Sequence, residues 1–136
     1  MNENIIVDTS IWIDFYNGIS NEGVEILKSI MLSDDIVIPA IIVQEILQGI
    51  KEKKLLSFVE DSLLGFQFFN YDMYEAAFEA AALYRLLRTK GVTVRSSNDC
   101  SIAWLCISNN FPILHNDKDF DNIAKHTSLK IYKPEK

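Results

Sequence analysis

Apolar residues fall into two kinds of run along the chain. Residues 4–7, 36–38, 65–69, 112–114 and 129–132 form short, unbroken, strand-like runs. An unbroken run suits a strand covered on both faces, where an alternating one suits a half-exposed strand. Helical spacing occupies the stretches between: 23–32, 40–50, 53–64, 72–89 and 98–108, with a further helix starting near Thr9. Stretch 72–89 is the longest; Asp72-x-x-Glu75 opens it as a capping box and Gly91 closes it. Stretch 98–108 is apolar nearly all round, which predicts a central helix. Strands alternating with helices predict an α/β sandwich around a parallel sheet. With 136 residues and no repeat, low-complexity tract or linker, one domain is expected over 1–136.

Ligands of such sheets bind outside the carboxyl ends of the strands, where strand order reverses. Asp8 directly follows the run 4–7, and His115, Asn116, Asp117 and Asp119 follow 112–114. Asp8 is placed to cap the next helix, but Thr9 and Ser10 can do that instead. In "PAIIVQEILQGI", Ile42, Val43, Ile46, Leu47 and Ile50 share one helical face. Glu45 lies on the other, an exposed position on this evidence alone, with Gly49 one turn later leaving room beside it. In "SSNDCSIAWLCI", Asp99 shares a stripe with Ile102, Ala103 and Cys106 and so points along the buried face. It also completes a capping box, Ser96-x-x-Asp99, and the two readings are compatible. Asn116 or Asp117 can cap a short helix, and Asp121 extends the acidic run toward solvent.

These acids change meaning if they converge. Within about 6 Å, each pair repels by about 3 kcal/mol at an effective dielectric near 20. Several such pairs would remove a large part of a small domain's stability. Either some carboxyls hold protons or a cation sits among them. Oxygen ligands, without Cys or well-spaced His, suit Mg2+ or Mn2+.

A formal charge of −6 argues weakly against a polyanionic partner, but the average hides an asymmetry. Arg85, Arg88, Lys90 and Arg95 lie in a window with no acid between Glu79 and Asp99, and Lys51, Lys53 and Lys54 make a second basic group. Both groups fit solvated helix ends or a grip on phosphates. At 49% apolar residues, disorder is not expected. No run approaches the roughly 18 apolar residues of a membrane span. The N-terminus has no basic leader pattern, so a cytoplasmic protein is expected. Cys100 and Cys106 read as core thiols in a reducing compartment.

Four pieces in order, "VDTSIWIDF", "PAIIVQEILQGI", "SSNDCSIAWLC" and "ILHNDKDFDNIA", resemble the PIN domain, specifically VapC-type ribonuclease toxins of bacterial toxin–antitoxin pairs. The resemblance covers essentially the whole chain. It implies a three-layer α/β sandwich with a short central parallel sheet. It implies an acidic site on Asp8, Glu45, Asp99 and Asp117, with Asp119 as an extra ligand for a second metal. Ser10 and Asn98 match polar groups that hold metal, water or phosphate. Thr9 matches a helix-start residue, and His115 a polar wall or phosphate contact. The implied activity is hydrolysis of RNA phosphodiester bonds, in transfer or ribosomal RNA, with one or two Mg2+ or Mn2+ ions. In that frame Arg85, Arg88, Lys90 and Arg95 are candidates to bind the substrate backbone. The resemblance further implies an antitoxin covering the cleft and a homodimer. Ile30, Met31, Leu55, Phe58, Val59 and Leu63 are candidates for those surfaces, or for the core. Two other readings remain: a PIN domain that binds RNA or protein without cutting, and a haloacid-dehalogenase-like phosphatase. The phosphatase needs a second acid where Ser10 stands.

Overall fold

A computed structural model describes residues 3–33 and 35–134. Its elements run β1 (Ile6–Val7), α1 (Thr9–Tyr16), α2 (Glu22–Ile30), β2 (Val37–Pro39), α3 (Ala40–Gly49), α4 (Lys53–Leu63), β3 (Gln67–Phe69), α5 (Met73–Thr89), α6 (Ser97–Asn109), β4 (Ile113–Leu114) and α7 (Lys118–His126). β1 pairs in parallel with β4, and β2 with β3. A parallel bridge between Ile5 and Ile36 joins the two pairs. The order is therefore β3–β2–β1–β4, and the chain reverses its direction of travel at β1. Right-handed crossovers put α1 to α4 on one face and α5 to α7 on the other. The packing agrees: α1 contacts α2 and α3, α3 contacts α4, α5 contacts α6, and α6 contacts α7. This is the expected three-layer α/β sandwich.

Both faces of the sheet are covered, and the strand residues show it. Ile6, Val7, Val37, Ile38, Ile113 and Leu114 are all buried. Trp12 and Phe120 are the largest wholly buried side chains. α6 is the central helix, burying Cys100, Ile102, Ala103, Leu105 and Cys106, with both cysteines free thiols. Asp72 caps α5 by accepting from the N–H groups of Tyr74 and Glu75.

Four local expectations need correction. The run 65–69 gives only a three-residue strand, because the N–H groups of Gly65 and Phe66 bond back to Ser62 and Leu63 as the turn ending α4. The run 129–132 makes a single bridge, Ile131 to Ile113. Ser96 directly precedes α6 but its side chain makes no capping bond. The space beside Gly49 serves α1, not Glu45: a Cβ there would sit 2.4 Å from Ile13 Cδ1. Of the apolar residues offered as partner surface, Val59 and Leu63 belong to the core, while Phe58 is exposed.

Candidate active site

β1 ends where the strand order reverses, and Asp8 is its next residue. The Asp8 N–H donates to the Leu114 carbonyl at 2.9 Å, which fixes it beside the end of β4. Asp8 is the residue preceding α1, yet its carboxylate caps nothing. Instead Oδ2 accepts from the Ser10 hydroxyl at 2.9 Å. Asp117 precedes α7 and does cap it, its Oδ1 accepting from the Asp119 N–H at 2.9 Å. Asp99 is in the first turn of α6.

These elements bring Asp99, Asp117 and Asp119 together. Each offers a carboxylate oxygen, and those oxygens lie within 4.8 Å of one another. Asp8, Asp99 and Asp119 are the only buried polar or charged residues among those described. Burial first, then the charges of Asp8, Asp117, Asp119 and Glu45, pushes the Asp99 carboxyl from its ordinary 3.8 up to about 7. Burial likewise raises Asp8; its hydrogen bonds from the Ser10 hydroxyl and the Thr9 backbone oppose this, and Glu45 and Asp117 add to it. The five acids thus share one field, although they span residues 8 to 119.

Glu45 is held differently. Thr9 Oγ1 donates to its Oε1 at 2.7 Å, and Asn98 Nδ2 donates to its Oε2 at 3.2 Å. One carboxylate therefore ties α1, α3 and α6 together. Thr9 does begin a helix, but its hydroxyl also positions Glu45, a contact that no sequence pattern signals.

Arg95 holds the acids from the loop before α6. Its Nη2 donates to Asp117 Oδ1 at 2.9 Å and its Nε to Asp119 Oδ2 at 3.3 Å. Its backbone N–H also reaches Asp119 Oδ2, at 3.2 Å. The Asp119 hydrogen bond is the main cause that makes Arg95 hold its own proton more firmly. In this structure Arg95 is thus a counterion of the acids, where the sequence offered it for the substrate backbone. Arg85 and Arg88 are exposed on the last turns of α5, and Lys90, also exposed, follows the end of that helix. Arg88 Nη1 donates to the Tyr84 hydroxyl at 3.2 Å.

His115 is no wall of the cleft. Its side chain is buried, its Nδ1 accepts from the Asp117 N–H at 2.9 Å, and its Nε2 lies 3.1 Å from Asp121 Oδ1. The accepting Nδ1 leaves the ring proton on Nε2, where it faces Asp121. His115 therefore shapes the turn carrying Asp117, and Asp121, exposed as expected, is its partner.

The donor set suits a hard divalent cation: three carboxylate oxygens, no sulfur, and a carboxyl whose proton is easily displaced near neutral pH. A parallel sandwich with such a cluster at its switch point defines a class, and sequence comparison supplies it. The PIN domain profile matches residues 5–126. The chain is 35% identical over 130 residues to VapC ribonuclease Mb1587 of Mycobacterium bovis and to ribonuclease VapC11 of Mycobacterium tuberculosis. Each match covers 93% of this chain and 96% of the relative. The chain belongs to the PIN-domain family, in its VapC branch. The fold agrees with solved structures. VapBC2 from Rickettsia felis, bound to a promoter DNA fragment, gives a TM-score of 0.74 at 21% identity, over 94% of this chain and 96% of that one. DNA-bound VapBC from Salmonella typhimurium gives 0.72 at 22% identity, over 97% and 98%. Family membership sets aside the phosphatase reading. No described helix is long and apolar enough to cross a membrane.

Proposed function

We propose that this protein is a divalent-cation-dependent endoribonuclease, the toxin of a toxin–antitoxin pair, with its nuclease domain extending over residues 1–136. The observation that carries this is the convergence of Asp99, Asp117 and Asp119 oxygens within 4.8 Å, in the field of Asp8 and Glu45. The full-length likeness to VapC ribonucleases supplies the reaction class.

In this reading Asp8, Glu45, Asp99 and Asp117 are the catalytic acids, and Asp119 joins them in holding one or two Mg2+ or Mn2+ ions. Such an ion supplies positive charge where phosphodiester cleavage builds negative charge, and lowers the pKa of the attacking water. The chain's own residues set the stage. Ser10 orients Asp8, Thr9 and Asn98 orient Glu45, and Arg95 orients Asp117 and Asp119. Asp99 would hold such an ion in its deprotonated form. Arg85, Arg88 and Lys90 supply phosphate contacts that offset the net charge of −6. Transfer or ribosomal RNA is the substrate class. An antitoxin covering the cleft is the protein partner in this reading, and the structural neighbours are VapBC complexes. A homodimer in the cytoplasm completes the reading.

The test is cleavage of purified transfer and ribosomal RNA with Mg2+, with chelator, and with Asp8→Asn. Cutting should need the ion and vanish in Asp8→Asn while the circular dichroism spectrum is unchanged. Cutting that survives chelator, or Asp8→Asn at wild-type rate, refutes the reading. RNA binding without any cutting would identify a silent PIN domain instead.

A further inference from the structure

A groove of about 580 Å³ runs between α5 and α6. Tyr84, Arg85, Arg95, Asn98 and Ser101 line it, and Ala81 leaves it open on the α5 side. Among the described residues, no carboxylate lines it.

Two of its residues also touch the acids. Arg95 bonds Asp117 and Asp119, and Asn98 donates to Glu45. The groove therefore meets the acid cluster through two separate contacts from two segments, the loop before α6 and α6 itself. Its chemistry is that of a strand site. Arg85 supplies positive charge. Tyr84 supplies an aromatic face, with the Arg88 guanidinium 5.9 Å from its centroid. Cations beside an aromatic side chain are how single-stranded nucleic acids are held without sequence readout. The hydroxyl of Ser101 and the amide of Asn98 offer hydrogen bonds to a ribose 2′-hydroxyl or a base edge.

We infer that this groove binds the single-stranded RNA segment leading to the scissile phosphate. A base lies against Tyr84, a phosphate on Arg85, and the strand reaches the acids at Arg95. The inference rests on the ribonuclease reading for what happens at the strand's end, and on the groove's own chemistry for where the strand lies.

The test is fluorescence anisotropy with a labelled single-stranded RNA of about twelve nucleotides, within the usual size range of such sites. It is run in chelator on wild type, Tyr84→Ala, Ala81→Trp and Ala82→Trp. Ala81 and Ala82 are both exposed on α5, but only Ala81 lines the groove, so the two tryptophans separate filling from bulk. Tyr84→Ala and Ala81→Trp should each raise Kd about tenfold, the loss of about one base stack. Ala82→Trp should bind as wild type, with all four proteins fully folded at the assay temperature. Wild-type affinity in both groove variants overturns the proposal. So does a loss of self-association in them, by sedimentation, with RNA binding intact: the groove would then belong to a second copy of the chain. Cleavage with Mg2+ in the same preparations separates the two claims. Binding that depends on the groove without cutting sinks the ribonuclease reading alone. Cutting with groove-independent binding sinks the groove alone.

Discussion

Replacing Asp99 with Asn should stabilise the cation-free protein at alkaline pH. The gap between 3.8 and about 7 for this carboxyl corresponds to about 4 kcal/mol, at about 1.4 kcal/mol per pH unit. Water at the mouth of the cleft screens part of this, and halving it leaves about 2 kcal/mol. Asn also forgoes the attraction of a first-turn acid to the helix dipole, about 0.5 kcal/mol. The expected net gain is about 1.5 kcal/mol, or roughly 5 °C in Tm for a domain of this size. The sign follows from linkage. A carboxyl whose folded pKa is raised binds its proton more tightly in the folded state. Its favourable contribution is complete below about pH 4, declines as pH rises, and is gone above about pH 7. The gain from Asn should therefore appear in full at pH 8.5 and largely disappear at about pH 4, where Asp99 is protonated in the folded state and increasingly so in the unfolded one. Calorimetric melts of both proteins in chelator, at the two pH values, measure it. A variant that melts lower than wild type at pH 8.5, or by the same offset at both pH values, refutes the shared-field argument.

Three further outcomes are expected. Mg2+ or Mn2+ at about a hundred times its Kd should add about 2.7 kcal/mol to wild type at pH 8.5, and much less to Asp99→Asn; equal Tm shifts would count against a common site. Thr9→Val leaves Glu45 Oε1 without its 2.7 Å donor, so urea unfolding should show a loss of about 1 kcal/mol and RNA cleavage should fall; unchanged values for both would make that bond incidental. Neutralising Arg85, Arg88 and Lys90 together should flatten the salt dependence of single-stranded RNA binding by about 0.7 in log–log slope per lost phosphate contact, and an unchanged slope would return all three to plain surface.

The stability of the acid cluster explains why so polar a site can sit on so apolar a sheet. Asp8, Asp99 and Asp119 are buried at the rim of the core, each with a different compensation: a hydroxyl, a raised pKa and an arginine. The sheet itself contributes few residues but sets the directions. Asp8 and Asp117 lie close because β1 and β4 are hydrogen-bonded neighbours whose chains both leave at the same edge.

The amino-acid sequence by itself determined the elements and the edge at which chemistry collects. Runs such as 36–38 and stretches such as 72–89 are legible because burial imposes a local period and caps such as Asp72 act within one turn. An acid straight after a buried strand, as at Asp8, is likewise a local signal. The tertiary structure alone decided what each side chain does there. Thr9 holds Glu45 across 36 residues, Asn98 reaches the same carboxylate across 53, and Arg95 grips Asp119 across 24. No periodicity links such positions, so nothing in the sequence could show Arg95 turned toward the acids, His115 turned inward, or Gly49 yielding its space to Ile13. Those contacts exist only once parallel strands bring distant segments to one edge, and packing there, rather than local preference, selects each partner.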